Sequence, residues 1–362
     1  MKTIIRNISL LLCVVATLAS CYRKPLYDEC ICVNTLSIPI DVDWETSGVE
    51  PQNITVLIYN LDDGSLFYEH WYQQNDNDIQ SYVQLPSGDY TAIVFNELRD
   101  QIDYVSCVDY DNFSTLKFES NSGEPLRSRS TSSTRGYVEQ PGDLAVAIVN
   151  NITVTDDMIV EAAYSSSDDT KSSELSAETR ATVESLMGVV TKKKNATIVI
   201  SAHIKNIFYA RMPALVDLVN LADGYYVFGD NNSTTTSTLQ FTMNNRTYDN
   251  ESPQRNGTIS TTVIAFGSLD DRLSSSGHDE TTPVMLNLLF QLIDADYTEV
   301  ELSMDVTSHI VHSEQSDGSV LMTIDVELDE ALPEVIPEGT TDSGFGSDLI
   351  DWGVIDIPIV FE

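Results

Sequence analysis

The 362-residue sequence predicts an all-β protein. Three observations carry that prediction: short apolar runs of period two recur along the chain, turn residues punctuate them, and helical periodicity is confined to a few places. Leu36, Ile38, Ile40, Val42 and Trp44 alternate with Ser37, Pro39, Asp41 and Asp43, the pattern of a half-buried strand, and Pro39 assigns it to a sheet edge. The runs 53–60 (NITVLIYN) and 65–72 (SLFYEHWY) flank Leu61-Asp62-Asp63-Gly64, an Asp-Gly hairpin signal. In LPSGDYTAIVFNE, residues 85–97, Gly88 permits a sharp entry into a strand. Its two faces, Tyr90/Ala92/Val94 and Thr91/Ile93/Phe95, are both largely apolar, as a covered central strand requires.

Residues 121–142, rich in Ser, Arg, Gly and Thr, read as a long exposed loop. Strands are expected at 144–149 and 158–164, then a polar Ser-rich run over 165–184 with a short helix around 176–187. Lys192-Lys193-Lys194 reads as a solvated linker. In the second half, 195–204, 238–243, 258–268, 285–293, 298–306, 319–328 and 350–360 read as strands of a seven-stranded sandwich, with one helix at 211–221. The expected division is a signal peptide at 1–20, an N-terminal β-sandwich domain at 21–170, a polar linker at 171–194 and a C-terminal β-sandwich domain at 195–362.

Charge narrows the function classes. With 19 Lys+Arg against 56 Asp+Glu the net charge is −37, a surface that repels phosphate backbones and excludes nucleic acid as a partner. It also opposes adhesion to anionic lipid through electrostatics alone. Membrane attachment is expected by another route. Lys2 and Arg6 precede the apolar stretch 8–16, too short for a membrane span, and Leu18-Ala19-Ser20-Cys21 has the form of a bacterial lipobox. Cys21 is therefore the expected lipidation site, placing the chain on the outer membrane by acyl chains with no transmembrane helix.

No catalytic constellation appears: no GxSxG elbow, P-loop, GxGxxG or HExxH. The expectation is a non-enzymatic protein with no cofactor, no metal and no catalytic residues. His309 and His312 are three apart, on opposite faces of a strand, and read as ordinary histidines. Asp76-Asn77-Asp78 and Asp109-Tyr110-Asp111-Asn112 lack the glycine and distal glutamate of a calcium loop and read as solvated acidic turns. Cys30 and Cys32 share one face of a strand; either is available to bridge to Cys107, and spacing does not choose between a bridge and free thiols. Trp71, Tyr72 and Tyr225-Tyr226 are the candidates for sugar-stacking platforms.

Several stretches taken together resemble a known family. They are the lipobox with CYRKPLYDECIC, DVDWE (41–45), VLIYNLDDGSLFYEH (56–70), LPSGDYTAIVFNE, the segment 202–228, TVIAFGS (262–268), ELDEALP (327–333) and GFGSDLIDWGVIDIPI (344–359). The chain resembles Bacteroidales lipoproteins grouped with the FimB-type fimbrial anchor subunits, and most of all a sister domain family of unassigned activity. The resemblance implies two tandem transthyretin-like β-sandwich domains, fimbrial subunits as partners, and a fimbrillin-like anchor or accessory role in pilus assembly or adhesion. It also implies joining by strand donation, with Ile350, Val354, Ile355, Ile357 and Ile359 in the candidate donor strand; the other reading folds that strand into its own domain. The turn expected after Ala210-Arg211-Met212 reads Pro213-Ala214-Leu215-Val216-Asp217 here, a departure from the pattern. The alternative function is a surface glycan-binding or nutrient-capture lipoprotein, and which face of the outer membrane it occupies stays open.

Overall fold

A computed structural model describes residues 34–73, 81–127, 132–167, 175–250, 255–268 and 282–338. The class is all-β: strands arranged in several sheets dominate, and helix is minor. The strand expected at 350–360 lies outside the described residues. Two compact units divide the chain.

The smaller unit takes its described residues from 34–38, 82–88, 153–167 and 175–184. Leu36–Pro39 pairs with Tyr82–Leu85 in a two-stranded sheet, so Pro39 does sit on an edge strand. Leu36, Ile38, Val83 and Leu85 are buried. The strand expected at 158–164 is instead part of the helix Asp156–Ser167. Acidic Asp156 and Asp157 lie in its first turn, where the helix dipole favours them, and Met158 N donates to Thr155 Oγ1. The expected helix near 176–187 is present as Ala177–Val183, capped by Ser176, whose hydroxyl accepts from Thr179 N.

The larger unit holds the rest and contains three sheets of four or five strands with partners from both halves of the sequence, together with a C-terminal five-stranded sheet. The first five-stranded sheet runs in the order Lys192–Lys193, Ala145–Val154, Gly88–Asn96, Asn53–Asn60, Leu66–Gln73. Residues Tyr90 to Asn96 are all buried, so the stretch that reads as a covered central strand is one. The lysine triplet is not a solvated linker. Lys192–Lys193 forms an edge strand, and Lys194 is buried with Nζ 2.7 Å from Asp230 Oδ1 and 5.0 Å from the Tyr225 ring centre.

Two further five-stranded sheets face each other across one apolar core. One runs Asn245–Tyr248, Gly257–Ala265, Ala196–Ile204, Val320–Glu327, Ile310–Glu314. The other runs Glu299–Asp305, Met285–Gln291, Ala214–Ala222, Thr236–Met243, Tyr137–Val138. Ala196–Ile204 alternates buried and half-buried residues along its length, one face against the core that holds Ile198, Ile200, Leu218, Phe290 and Ile324.

The helix expected at 211–221 is the strand Ala214–Ala222, buried throughout. Leu215, Leu218, Val219 and Ala222 mimic a helical stripe, but the segment lies between two hydrogen-bonded neighbours, where both faces are covered. Its polar residues are satisfied in place. Gln240 Nε2 donates to Asp217 Oδ1 at 2.7 Å, and Asn220, with φ of +68° at a bulge, donates to Pro283 O at 2.8 Å. The expected loop at 121–142 likewise contributes a strand: Tyr137–Val138 pairs in parallel with Thr238 and Leu239, and Val138 is buried.

A four-stranded sheet, Asn231–Asn232, Gly224–Tyr226, Lys117–Ser120, Val105–Val108, joins early and late sequence. Its side chains enter a core shared by Leu57, Ile93, Phe95, Phe118, Tyr225 and Phe266. Phe95 and Phe118 meet edge to face at 5.0 Å. Truncating Phe95 to Ala is expected to lower unfolding free energy by about 3–5 kcal/mol. Urea denaturation, read as a drop in midpoint at constant slope, checks it.

Candidate functional site

Two adjoining features of the larger unit offer side chains to solvent in an organised way: the outermost strand of the first sheet, and a cleft beside the hairpin that leads into it. Leu66–Gln73 pairs with Asn53–Asn60 on one side and is the last described strand of its sheet. A register shift between Ile58 and Tyr59 places Tyr68 opposite Ile58 and Leu66 opposite Tyr59, leaving Phe67 unmatched. Phe67 packs against Tyr90 at 5.3 Å while remaining partly exposed, and Trp71 is 56% exposed.

On the side of the strand away from Trp71, Tyr68, His70 and Tyr72 form a ring ladder, with centroids 6.1 Å and 6.0 Å apart. Residues two apart share a strand face, so three aromatic rings at positions 68, 70 and 72 stack along the chain. Burial holds the His70 imidazole below its ordinary value of 6.5, and pushes the Tyr72 hydroxyl up to about 12 with the Asp41 carboxylate adding to the effect. His70 and Tyr72 are therefore neutral at physiological pH. Beyond it Glu69 meets Arg99 at 3.6 Å, and the Arg99 guanidinium lies 3.8 Å over the Tyr110 ring.

The cleft, of about 290 Å³, is lined by Tyr59, Leu61, Asp63, Asn112, Phe113 and Phe228 among others. The Asp-Gly hairpin and the acidic loop 109–114 build it together. Gly64 N donates to Asn60 O, Phe113 N to Gly64 O, and Asn112 Nδ2 to Asp63 O at 3.2 Å. Gly64 has φ of +72°, and a Cβ there would stand 3.1 Å from Asn112 Oδ1, so glycine serves both the turn and the close approach. Asp63 has its carboxyl lowered by hydrogen bonds from the Ser65 hydroxyl and amide. Phe113 sits 5.7 Å from Tyr59 and meets Phe228 edge to face at 5.4 Å, and Phe228 is 64% exposed. The arrangement offers an aromatic face flanked by hydroxyl and amide groups and by the Asp63 carboxylate.

The residues singled out in the sequence fare differently. Cys21, Cys30, Cys32, the 76–78 turn, Ile350, Val354, Ile355, Ile357 and Ile359 lie outside the described residues. Cys107 is a free thiol, half-buried, with its pKa pushed up to about 12 by burial, and so is a poor nucleophile. His309 and His312 are exposed, and His309 stands near enough to Asp305 to help hold its carboxyl down; no group of three or more His, Cys, Asp or Glu that could hold a metal occurs among the described residues. Of the proposed platforms Trp71 is outward and Tyr72 half-buried. Tyr225 is core, its hydroxyl donating to Asp230 Oδ1 at 2.8 Å, and Tyr226 is half-buried beside Lys117. Phe113 and Phe228 were not marked by the sequence, since isolated aromatics in turns carry no periodic signal.

The family model of a domain of unknown function, DUF5119, matches residues 20–243. The chain belongs to the DUF5119 family. No curated protein matches this DUF5119 chain. Among solved structures, a candidate adhesin from Bacteroides ovatus aligns over 88% of this chain and 99% of its own, at 16% identity and a TM-score of 0.51. A candidate polysaccharide-binding protein from Bacteroides thetaiotaomicron aligns over 81% and 89% at 10% identity, TM-score 0.40. The fimbrial anchor protein Mfa2 from Porphyromonas gingivalis aligns over 80% and 94% at 8% identity, TM-score 0.40. At 16% identity the first of these likenesses speaks for a shared fold alone. No helix among the described residues is long and apolar enough to cross a membrane.

His70 gives this DUF5119 surface a pH signature. Its folded pKa lies below 6.5, so between that value and 6.5 the unfolded chain holds a proton that the folded chain does not. Stability is therefore full above 6.5 and is expected to fall as pH drops through that window. His70→Gln should flatten the difference. Urea titrations of both proteins at the two ends of the window read it out, with the His70 resonance followed by NMR.

Proposed function

We propose that this DUF5119 chain is a lipid-anchored, non-enzymatic component of a cell-surface fimbria or adhesin, held at the outer membrane by acyl chains on Cys21 after removal of residues 1–20. The observation that supports this reading best is a fold shared with a candidate adhesin along 99% of that protein's length. The Leu-Ala-Ser-Cys motif and the basic, apolar leader support the anchor. A chain with 56 acidic and 19 basic residues suits a solvated, exported protein.

Within this proposal the partner is a fimbrial subunit, and the segment 350–360 is the strand offered to it. Ile355, Ile357 and Ile359 alternate with Asp356 and Pro358, which gives one apolar row for a groove, while backbone groups supply the pairing. A second reading, capture of a glycan, is favoured by two specific features: the outward Trp71 and the aromatic cleft at Phe113 and Phe228.

Replacing Cys21 by Ala is expected to move the protein from the outer-membrane fraction to the soluble fraction and to abolish lipid labelling. Retention in the membrane with an unlabelled Cys21→Ala chain overturns the anchor. For the partner, the intact chain and one ending before Ile350 are pulled down from native outer membranes. A fimbrial subunit recovered only with the intact chain is the expected result. Equal recovery by both forms removes the donated strand from the proposal. If neither form recovers a subunit while Trp71→Ala or Phe228→Ala weakens binding to neutral oligosaccharides, the second reading replaces the first.

A further inference from the structure

The four-stranded sheet buries an ionic cluster that the adhesion reading does not use. The Lys117 side chain is 8% exposed and that of Asp223 1%. Lys117 Nζ lies 2.9 Å from Asp223 Oδ1 and donates to Oδ2 at 3.0 Å; it also lies 3.1 Å from Glu119 Oε2. Arg135 closes the group, with Nη2 2.9 Å from Glu119 Oε1 and Nη1 3.5 Å from Asp223 Oδ2. Fully buried Phe118 and Tyr225 lie on the two paired strands, and the Tyr226 ring centre is 5.6 Å from Nζ.

Gly224 is shaped to this contact. A Cβ on it would come within 2.9 Å of Lys117 Cε and 2.2 Å of Phe118 O, so the lysine stem reaches Asp223 across a position that tolerates no side chain. A nucleophile and an electrophilic carbon are thus held together, out of water, with a third group poised to accept a proton.

We propose that Lys117 and Asp223 condense to an intramolecular isopeptide bond, with Glu119 as the proton carrier. Glu119 takes a proton from the Lys117 ammonium, and the freed amine attacks Asp223 Cγ. Negative charge gathers on the carboxyl oxygens, where Arg135 faces Oδ2. The C–N bond forms, the bond from Cγ to Oδ1 breaks, and Oδ1 leaves as water with two of the three ammonium protons. One amide N–H and one C=O remain, and no oxidant, reductant or cofactor is consumed. Charge also balances. Two cations and two anions precede the step; afterwards Glu119 and Arg135 remain as a neutral pair, and two buried charges are gone. The product ties residues separated by 106 positions, early sequence to late. It stands independently of the fimbrial reading.

Intact-mass spectrometry of the full chain under denaturing conditions decides it. The expected chain is lighter than its sequence by one water, about 18 Da, as a condensation requires. A tryptic digest is expected to show no cleavage after Lys117 and a branched peptide containing both residues. Lys117→Arg should run at full mass. Glu119→Gln, which keeps size and shape, should also run at full mass, or lose its water many-fold more slowly, while circular dichroism shows a folded protein. A wild-type chain at full mass, cleaved after Lys117, overturns the proposal. So does a missing water that maps elsewhere, for instance to Asn256-Gly257.

Discussion

The pairing of Lys117–Ser120 with Gly224–Tyr226 is the constraint on which the larger unit depends. Its register sets Lys117 opposite Tyr226, Phe118 opposite Tyr225 and Glu119 opposite Gly224. That register points Phe118 and Tyr225 into one core, where they meet Leu57 and Phe95 from early strands and Phe266 from a late one. A slip of one residue would turn these rings to the opposite face. It would also strand Lys117 away from Asp223, leaving a buried carboxylate with Arg135 alone at 3.5 Å. Ser120 N donates to Asp223 O, and Ser233 N to Gly224 O, so the backbone on both sides of Gly224 is held as well. Closing a loop of this length is entropically unfavourable by a term that grows only slowly with its size, and the shared core offsets it.

Polar groups elsewhere in the interior follow the same rule. Asn96 donates to Asp143 O at 2.8 Å and accepts from Ala145 N at 2.7 Å, so one side chain serves both ends of a strand entry. Asn195 Oδ1 accepts from Leu144 N at 2.5 Å. Thr191 Oγ1 reaches Ser47 Oγ at 3.0 Å, beside the short parallel pair formed by Val189 and Val190 with Val42 and Asp43. Each of these contacts joins segments distant in sequence. These buried polar groups find partners across strand ends, which fixes register where apolar packing alone is tolerant, although Asn195 Nδ2 is left without one.

Much of the fold was legible because period two survives burial on one side. The runs at 53–60 and 195–204, and those near 238–243, 258–268, 285–293, 298–306 and 319–328, are strands with ends within a few residues of expectation. Where both faces are buried, the period vanishes and the reading fails. Ala214–Ala222 is apolar at helical spacing only because its two polar residues fall at 217 and 220, three apart, each answered by a neighbour far along the chain. At 156–167 the capping Thr155 and the acidic first turn were the available signals, and the apolar Met158, Ile159 and Val160 outweighed them. The strand Tyr137–Val138 has two residues, too few for any period. Of the surface, the aromatic run at 67–72 was visible, but which ring faces water depends on the register shift at Ile58 and Tyr59. Phe228 joins the cleft through tertiary contact with Phe113, a pairing of residues that no spacing announces.

Composition and placement of charge belong to one design. Cations are scarce, 19 against 56 anions, and of those described Lys117 and Lys194 are buried while Arg99, Arg135 and Arg246 are half-buried. Lys117, Lys194 and Arg135 sit against carboxylates and rings at strand joins, Arg99 lies over Tyr110, and Arg246 donates to Ala210 O at 3.0 Å beside the Tyr248 ring. Lys117 neutralises the buried Asp223 carboxylate, where pairing matters most because the local dielectric is low, while the buried Asp217 is met by the Gln240 amide. The surface is left with the surplus anions, separated by solvent and screened over about 8–10 Å at ordinary salt. Such a protein repels copies of itself at range yet keeps apolar detail, the outward Trp71 and Phe228, for contact at close quarters. Association through those rings must be won by shape and desolvation against a repulsive field, which selects a neutral or cationic partner over another acidic one.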